Sequence, residues 1–195
     1  MKLGQIATIR TGMVLTRKKA QIWEETQGTY NLITLKNIEE GGGFSKAPWE
    51  EFASIEKLNG NHFTAAGDIL VRLSFPNTAV CINEGRKGLL IPSSFAVIKL
   101  KTGGFIPEYI AWYLNSGQVK REYLKFQTGT AMATTNTKIL SQLEIKAIPK
   151  EDQKLVARLQ KLFFREKELL HKLEEEKEKL YKAVLQRLVQ NEKGA

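Results

Sequence analysis

The sequence predicts an α+β protein. A curled, mostly antiparallel sheet with helices occupies residues 1–149, one long C-terminal helix follows over 150–190, and 191–195 form a tail. Three observations predict it. Residues 151–190 contain no Gly and no Pro and repeat an apolar stripe at helical spacing. Residues 63–100 alternate short β-branched runs with tight polar turns, the pattern of an antiparallel sheet. Between them, Pro107-Glu108 opens a short apolar helix.

In chain order, LGQIATIR at 3–10 is a short apolar-polar element ending at Thr11-Gly12. Arg17, Lys18 and Lys19 form a basic triplet in a polar connection, either a solvated loop or a set of phosphate contacts. TYNLITL at 29–35 reads as a strand running into Lys36 and Asn37. Gly41-Gly42-Gly43 is a flexible turn. No GKS or GKT follows it, so it is no phosphate loop.

Four further runs read as strands between turns: ILVRL after Gly67-Asp68, AVCIN after Pro76-Asn77, LLI after Gly85–Gly88, and FAVIKL after Pro92-Ser93-Ser94. Arg72, Ser74, Asn77, Arg86 and Lys87 lie at or near their turns, where a rigid sheet presents recognition groups or where ordinary turn chemistry suffices. PEYIAWYLN then forms a helix from Pro107, and a second helical stretch runs from Gln118 to about Lys125. The segment Thr128–Lys138 holds five Thr, an Asn and a Lys, groups able to touch phosphates and base edges. A strand-like EIKAIP leads into the long helix.

In that helix Leu155, Leu159, Leu162, Leu169, Leu173, Leu180, Val184 and Leu188 recur at spacings of three, four or seven. The stripe is interrupted at Glu166 and near Glu176 and Lys177. A helix of this length spans roughly 60 Å at about 1.5 Å per residue, more than a small domain covers. Only one such helix exists in the sequence, so its stripe calls for a partner from another chain, as one arm of a coiled coil.

Composition narrows the function. The chain has 195 residues and 42% hydrophobic content, enough for a packed core. No run approaches the ~18 apolar residues of a membrane span, and MKLGQIATIR lacks an apolar signal core, so a cytoplasmic protein is expected. The single cysteine, Cys81, excludes an internal disulfide framework and reads as a small buried hydrophobe. Net charge is +9. Residues 1–150 hold 19 Lys and Arg against 12 Asp and Glu, and 151–195 hold 11 against 9. The positive excess therefore sits on the globular part, which suits a polyanion such as nucleic acid.

Enzymatic readings find less support. Glu144-Ile145-Lys146 has the acid-x-Lys spacing of metal-dependent nucleases, but the nearest upstream acid is Glu122 and Asp152-Gln153-Lys154 repeats the spacing by chance. A methyltransferase would need a Gly-rich cofactor loop, which is not seen. His62 and His171 stand apart from Cys81, so no metal site and no cofactor are expected. An RNA-binding coiled-coil adaptor stays open, although Trp112, Tyr113 and Phe163 fall on helical faces rather than on a stacking platform.

Several local patterns then line up in order: LGQIATIRTG at 3–12, YNLITLKNI at 30–38, AGDILV at 66–71, FIPEYIAWYLNS at 105–116, GTAMATTNTKILSQLEIKAIP at 129–149 and EDQKLVARL at 151–159. Together they resemble the specificity (S) subunit of type I restriction-modification systems. The resemblance implies a non-catalytic subunit whose target-recognition domain reads one half of a split site on double-stranded DNA. It also implies assembly with two adenine-methylating M subunits, with motor-nuclease R subunits in a full restriction complex. One recognition domain and one helix, without internal repeat, imply a half-length form that pairs with itself, or with another S chain, through 150–190. The DNA-contacting candidates are Arg17, Lys18, Lys19, Lys36, Arg72, Ser74, Asn77, Arg86, Lys87, Thr128, Thr130, Thr134, Thr135, Asn136 and Lys138. Arg72, Arg86, Asn136 and Lys138 are the foremost candidates for base contacts.

Overall fold

The computed structural model describes residues 1–21, 23–101, 103–126 and 134–191. It divides into two compact units, Met1–Ala157 and Arg158–Ala195. The class is α+β, with antiparallel sheets and a long C-terminal helix.

In the first unit a single turn, α1 (Leu3–Ile6), leads into β1 (Ala7–Thr11). β2 (Gly28–Leu32) and β3 (Glu50–Ser54) pair antiparallel as a separate two-stranded sheet. β4 (Ile69–Arg72), β5 (Ala79–Cys81) and β6 (Phe95–Leu100) join β1 in an antiparallel sheet of order β1-β6-β4-β5.

The pleat of this sheet sorts its side chains into two cores. Ile69, Val71, Ala79, Ala96 and Ile98 face α1, α2 (Pro107–Leu114), α3 (Gly117–Phe126) and α4 (Thr137–Gln142), packing with Leu3, Tyr109, Ile110, Leu114, Tyr123 and Leu140. Leu70, Val80, Phe95 and Val97 face the other way and pack with Ile33, Ile38, Ile82, Leu89 and Ile91. Because both faces are covered, four consecutive residues of β6, Phe95–Ile98, are fully buried, and the strand reads as a continuous apolar run. Cys81 is partly buried at this sheet's edge; burial first, then the nearby Glu108 and Asp68 carboxylates, pushes its thiol up to about 12.

The remaining connections depart from the sequence expectation in informative ways. TYNLITL yields a strand only to Leu32, because Leu35–Asn37 turn into a 3₁₀ helix around buried Asn37. The Asn37 amide donates to Ala47 O and Pro48 O and its Oδ1 accepts from Thr34 N, closing the loop that leads to β3. LLI at 89–91 forms no strand; Leu90 touches Leu32 and Phe63 through isolated bridges. EIKAIP is likewise extended, with Glu144 making one bridge, to Lys2. There Met1 ammonium donates to Ile145 O at 3.1 Å, Ile145 N donates to Met1 O at 2.8 Å and Leu3 N to Leu143 O at 2.9 Å.

Gly12 marks the tightest approach of two segments. Its N–H bonds Phe95 O, and a Cβ there would drive into the carbonyl oxygens of Pro92 and Ile91. Gly12→Ala should therefore cost about 1–3 kcal/mol as an overpacking change, read as a lower urea midpoint at unchanged slope. An unchanged midpoint would show that the 91–93 segment can move aside.

α5 (Lys150–Asn191) begins inside the first unit. Glu151 and Asp152 occupy its first turn, where the helix dipole favours negative charge. Gln153, 1% exposed, faces inward and packs beneath Ile106. In the second unit the helix surface is laced with ion pairs at three- and four-residue separation: Arg165 and Lys172 to Glu168, and Lys179 to Glu176. Leu155, Leu159, Leu162, Leu169, Leu173, Leu180, Val184 and Leu188 are 47–62% exposed, so none of the described residues covers the stripe. Among the described residues no helix is long and apolar enough to cross a membrane.

Candidate nucleic-acid interface

The candidate contact residues fall into three groups. The first lies beside β3. Lys18 O accepts from Ile55 N, Ala20 N donates to Ala53 O, and Lys19 bridges Ser54, so the basic triplet is strapped along the strand. Arg17 and Lys19 are exposed, whereas Lys18 pairs with Glu56 at 2.6 Å. Lys36 is exposed, 3.4 Å from Glu50.

The second group is the turn at 84–88. Lys87 pairs with Glu84 at 2.9 Å on the surface. The Arg86 guanidinium lies 4.2 Å above the Phe44 ring, where burial pushes its pKa down. Its planar face is thus committed to an aromatic neighbour, a pairing that sequence spacing could not reveal.

The third group is drawn together by the fold. Arg72 ends β4, and the turn to β5 contains a cis Phe75-Pro76 bond. Ser74 bridges Thr134, and Thr135 N donates to Leu73 O at 2.7 Å, so the segment before α4 runs antiparallel to the end of β4. Two candidate asparagines bond the backbone here. Asn77 is 2% exposed, with a positive φ of 53°; its amide donates to Arg72 O and Leu73 O and holds the turn rather than facing outward. Asn136 caps α4, its Oδ1 accepting from Ile139 N at 2.9 Å, the usual work of Asn at that position. Thr134 and Lys138 are exposed, and Thr135 is buried. Thr128 and Thr130 lie outside the described residues.

Three features near the candidates were not singled out in the sequence. Lys120 Nζ reaches the β4–β5 turn from α3 and donates to Pro76 O and Asn77 O. Phe75 stands 65% exposed at the tip of that turn. A concavity of about 460 Å³ lined by Arg10, Asn61, His62 and Lys99 opens on β1 and β6, and nothing local in the sequence links Arg10 to residues 61 and 62.

Glu144 and Lys146 are exposed. Among the described residues no three or more His, Cys, Asp or Glu side chains gather as a metal site would require.

The arrangement defines a class of protein by its fold: a basic α+β body, built on two antiparallel sheets, whose last segment becomes one long helix with a bare apolar stripe. That fold is the one found in type I restriction-modification S subunits. A chain from a structure described as "complex assembly and conformational transition of the type I R-M system" matches with a TM-score of 0.63 at 15% identity, over 87% of this chain and 43% of that one. The HsdS subunit from Thermoanaerobacter tengcongensis matches at 0.54 and 13% identity, over 85% and 37%. The type I S subunit from M. genitalium matches at 0.52 and 15% identity, over 85% and 38%. The chain thus spans about two fifths of the length of these neighbours. No protein-family model matches the chain, and no curated protein matches it.

Proposed function

We propose that the chain is a non-catalytic DNA-recognition subunit of a type I restriction-modification complex, working in the cytoplasm. Its body, about residues 1–149, reads one half of a split target on double-stranded DNA. The helix at 150–190 pairs with a second copy and docks adenine-methyltransferase M subunits, with or without R subunits. The observation that carries this reading is the joint presence of the S-subunit fold over 87% of the chain and a long, uncovered apolar stripe on α5. The charge split between body and helix supports it, because phosphate neutralisation supplies most sequence-independent affinity. Arg72, Lys138, Thr134, Arg17 and Lys19 are the proposed contacts, together with the other exposed candidates.

Selection from a pool of random duplexes, by the chain alone and with co-expressed M subunits, should enrich two identical inverted half-sites separated by a fixed, unread spacer. A single uninterrupted motif would overturn the two-copy reading. No enrichment above the input pool in either form would overturn the DNA reading.

The helix is the proposed ruler. Deleting residues 174–180 removes one heptad while keeping seven of the eight stripe residues. It shortens the helix by about 10.5 Å, so the spacer should contract by about 3 base pairs at about 3.4 Å each. An unchanged spacer would mean that the helix length does not set the distance.

A further inference from the structure

The concavity on β1 and β6 gathers basic side chains from three separate segments. Arg10 comes from β1, Lys99 from β6 and His62 from the 3₁₀ turn Gly60–His62. The β1–β6 register sets Thr8 opposite Lys99 and Arg10 opposite Val97. Alternate residues of a strand share a face, so Thr8, Arg10 and Lys99 lie on one face. Arg10 and Lys99 are diagonal neighbours there, with Cα atoms about 7–8 Å apart. The 3₁₀ turn is tied to the same row, because the Arg10 guanidinium donates to Asn61 O. Ile91 N donates to His62 O and holds the turn from its other side.

Among the described residues that line this concavity, none is Asp or Glu. The bond to Asn61 O uses one of the five N–H donors of Arg10, which has no ion pair among the described residues. Lys99 has one carboxylate beside it, the buried Asp68 of the neighbouring chain segment, at 3.5 Å. That carboxylate also accepts from Ala65 N. One negative charge thus stands against two fixed positive ones, and a concave wall concentrates the remaining field. His62 is half-buried and makes no side-chain bond among the described residues. A metal cation would meet like charge here, and an apolar ligand would leave the donors unmet. The inner wall is apolar, since Val97 is fully buried behind the basic rim. A volume of about 460 Å³ exceeds what a lone phosphate needs and falls in the range of small-molecule sites. The complement is an anion with several acceptor oxygens attached to a less polar body.

We propose that the concavity binds one nucleotide unit, its phosphate held by Arg10, His62 and Lys99. A DNA strand and a free nucleotide offer the same anion. The strand as the source rests on the DNA-recognition reading above; the site itself does not. Held there, a strand phosphate would fix the register of the body on the duplex at the β1 edge, without reading sequence.

The test uses the full chain with three probes: a random-sequence duplex, adenosine 5′-monophosphate and adenosine. Duplex affinity is measured between about 50 and 200 mM salt, where each neutralised phosphate contributes about 0.9 to the log–log slope. With a strand in the site, Lys99→Gln should flatten that slope by about 0.9. His62→Ala should weaken duplex binding about tenfold at unchanged slope. With a free nucleotide in the site, calorimetry at fixed ionic strength should show the monophosphate bound and adenosine bound at least about tenfold more weakly. Lys99→Gln and His62→Ala should then each weaken the monophosphate, with the duplex slope unchanged. Lys161→Gln, on α5, should change neither readout.

An unbound monophosphate together with an unchanged duplex slope in Lys99→Gln overturns the site. So does adenosine binding as tightly as its monophosphate, which leaves the phosphate unrecognised. Where Lys99→Gln lowers the thermal midpoint by exposing Asp68 to an unpaired state, His62→Ala decides alone: unchanged affinity for both duplex and monophosphate sinks the site. If the wild type binds no duplex, the DNA reading fails, and the monophosphate titration is decisive: no binding by the wild type overturns the proposal.

Discussion

Gln153→Ala should lower the stability of the first unit by about 2–4 kcal/mol, a large loss for a surface-helix position in the sequence and an expected one for a clamp. The side chain is 1% exposed. Its Oε1 accepts from Ile106 N at 2.9 Å, while Nε2 donates to Ile148 O at 3.0 Å and Gly104 O at 3.2 Å. Ile106 is the N-cap of α2 and has no side-chain oxygen to cap that helix. One amide therefore ties together the loop before α2, the segment before α5 and the first turn of α5. Removal leaves partly buried groups unmet, each worth about 1–3 kcal/mol. Gly104 is exposed and recovers water, which keeps the total below three full penalties. Gln153→Glu should be no rescue, because a carboxylate cannot donate to the two carbonyls and brings a buried charge. Urea unfolding reads the result as a shifted midpoint at constant slope. A loss under about 0.5 kcal/mol would remove Gln153 from this role.

Leu169→Asp with Leu173→Asp should abolish pairing of the chain. In a two-fold dimer the pair of substitutions strikes four seam positions. Each buried leucine contributes about 1.5–3 kcal/mol, and each 1.4 kcal/mol is about tenfold in dissociation constant. Even a partial loss weakens the dimer by well over about a thousandfold. Light scattering across concentration should show the wild-type mass halve in the variant, while Lys161→Ala, away from the stripe, leaves it unchanged. A wild type that is monomeric throughout would sink homodimerisation and leave a different helix as the partner of α5.

What the sequence made legible follows from range. The long helix was visible because its signal repeats every few residues and needs no distant partner. β4, β5 and β6 were visible because turns punctuate them, and α2 because Pro107 sets its start. β3 was invisible: EEFAS begins with two charged residues and becomes a strand only by pairing with β2. LLI looked like a strand but lies where Leu90 is shared between Leu32 and Phe63, so no ladder can propagate. In the site, residue type singled out Arg72, Asn77 and Asn136 alike and could not show that the two asparagine side chains bond the backbone next to them. Lys120 escaped because its bonds reach a turn some forty residues earlier, a pairing that no local pattern encodes.

The hydrogen bonds joining Met1 and Leu3 to Ile145 and Leu143 have a consequence for how such proteins can be exchanged. The polypeptide enters the body and leaves it through one narrow gate, a few residues before α5. The span between those two edges holds both sheets and helices α2 and α3. A chimaera that retains residues 1–4 and 141–153 and takes the intervening span from a different body should still close the same gate and seat Gln153. On the proposed function, such an exchange would replace the body as a cassette while leaving the sequence of α5 untouched.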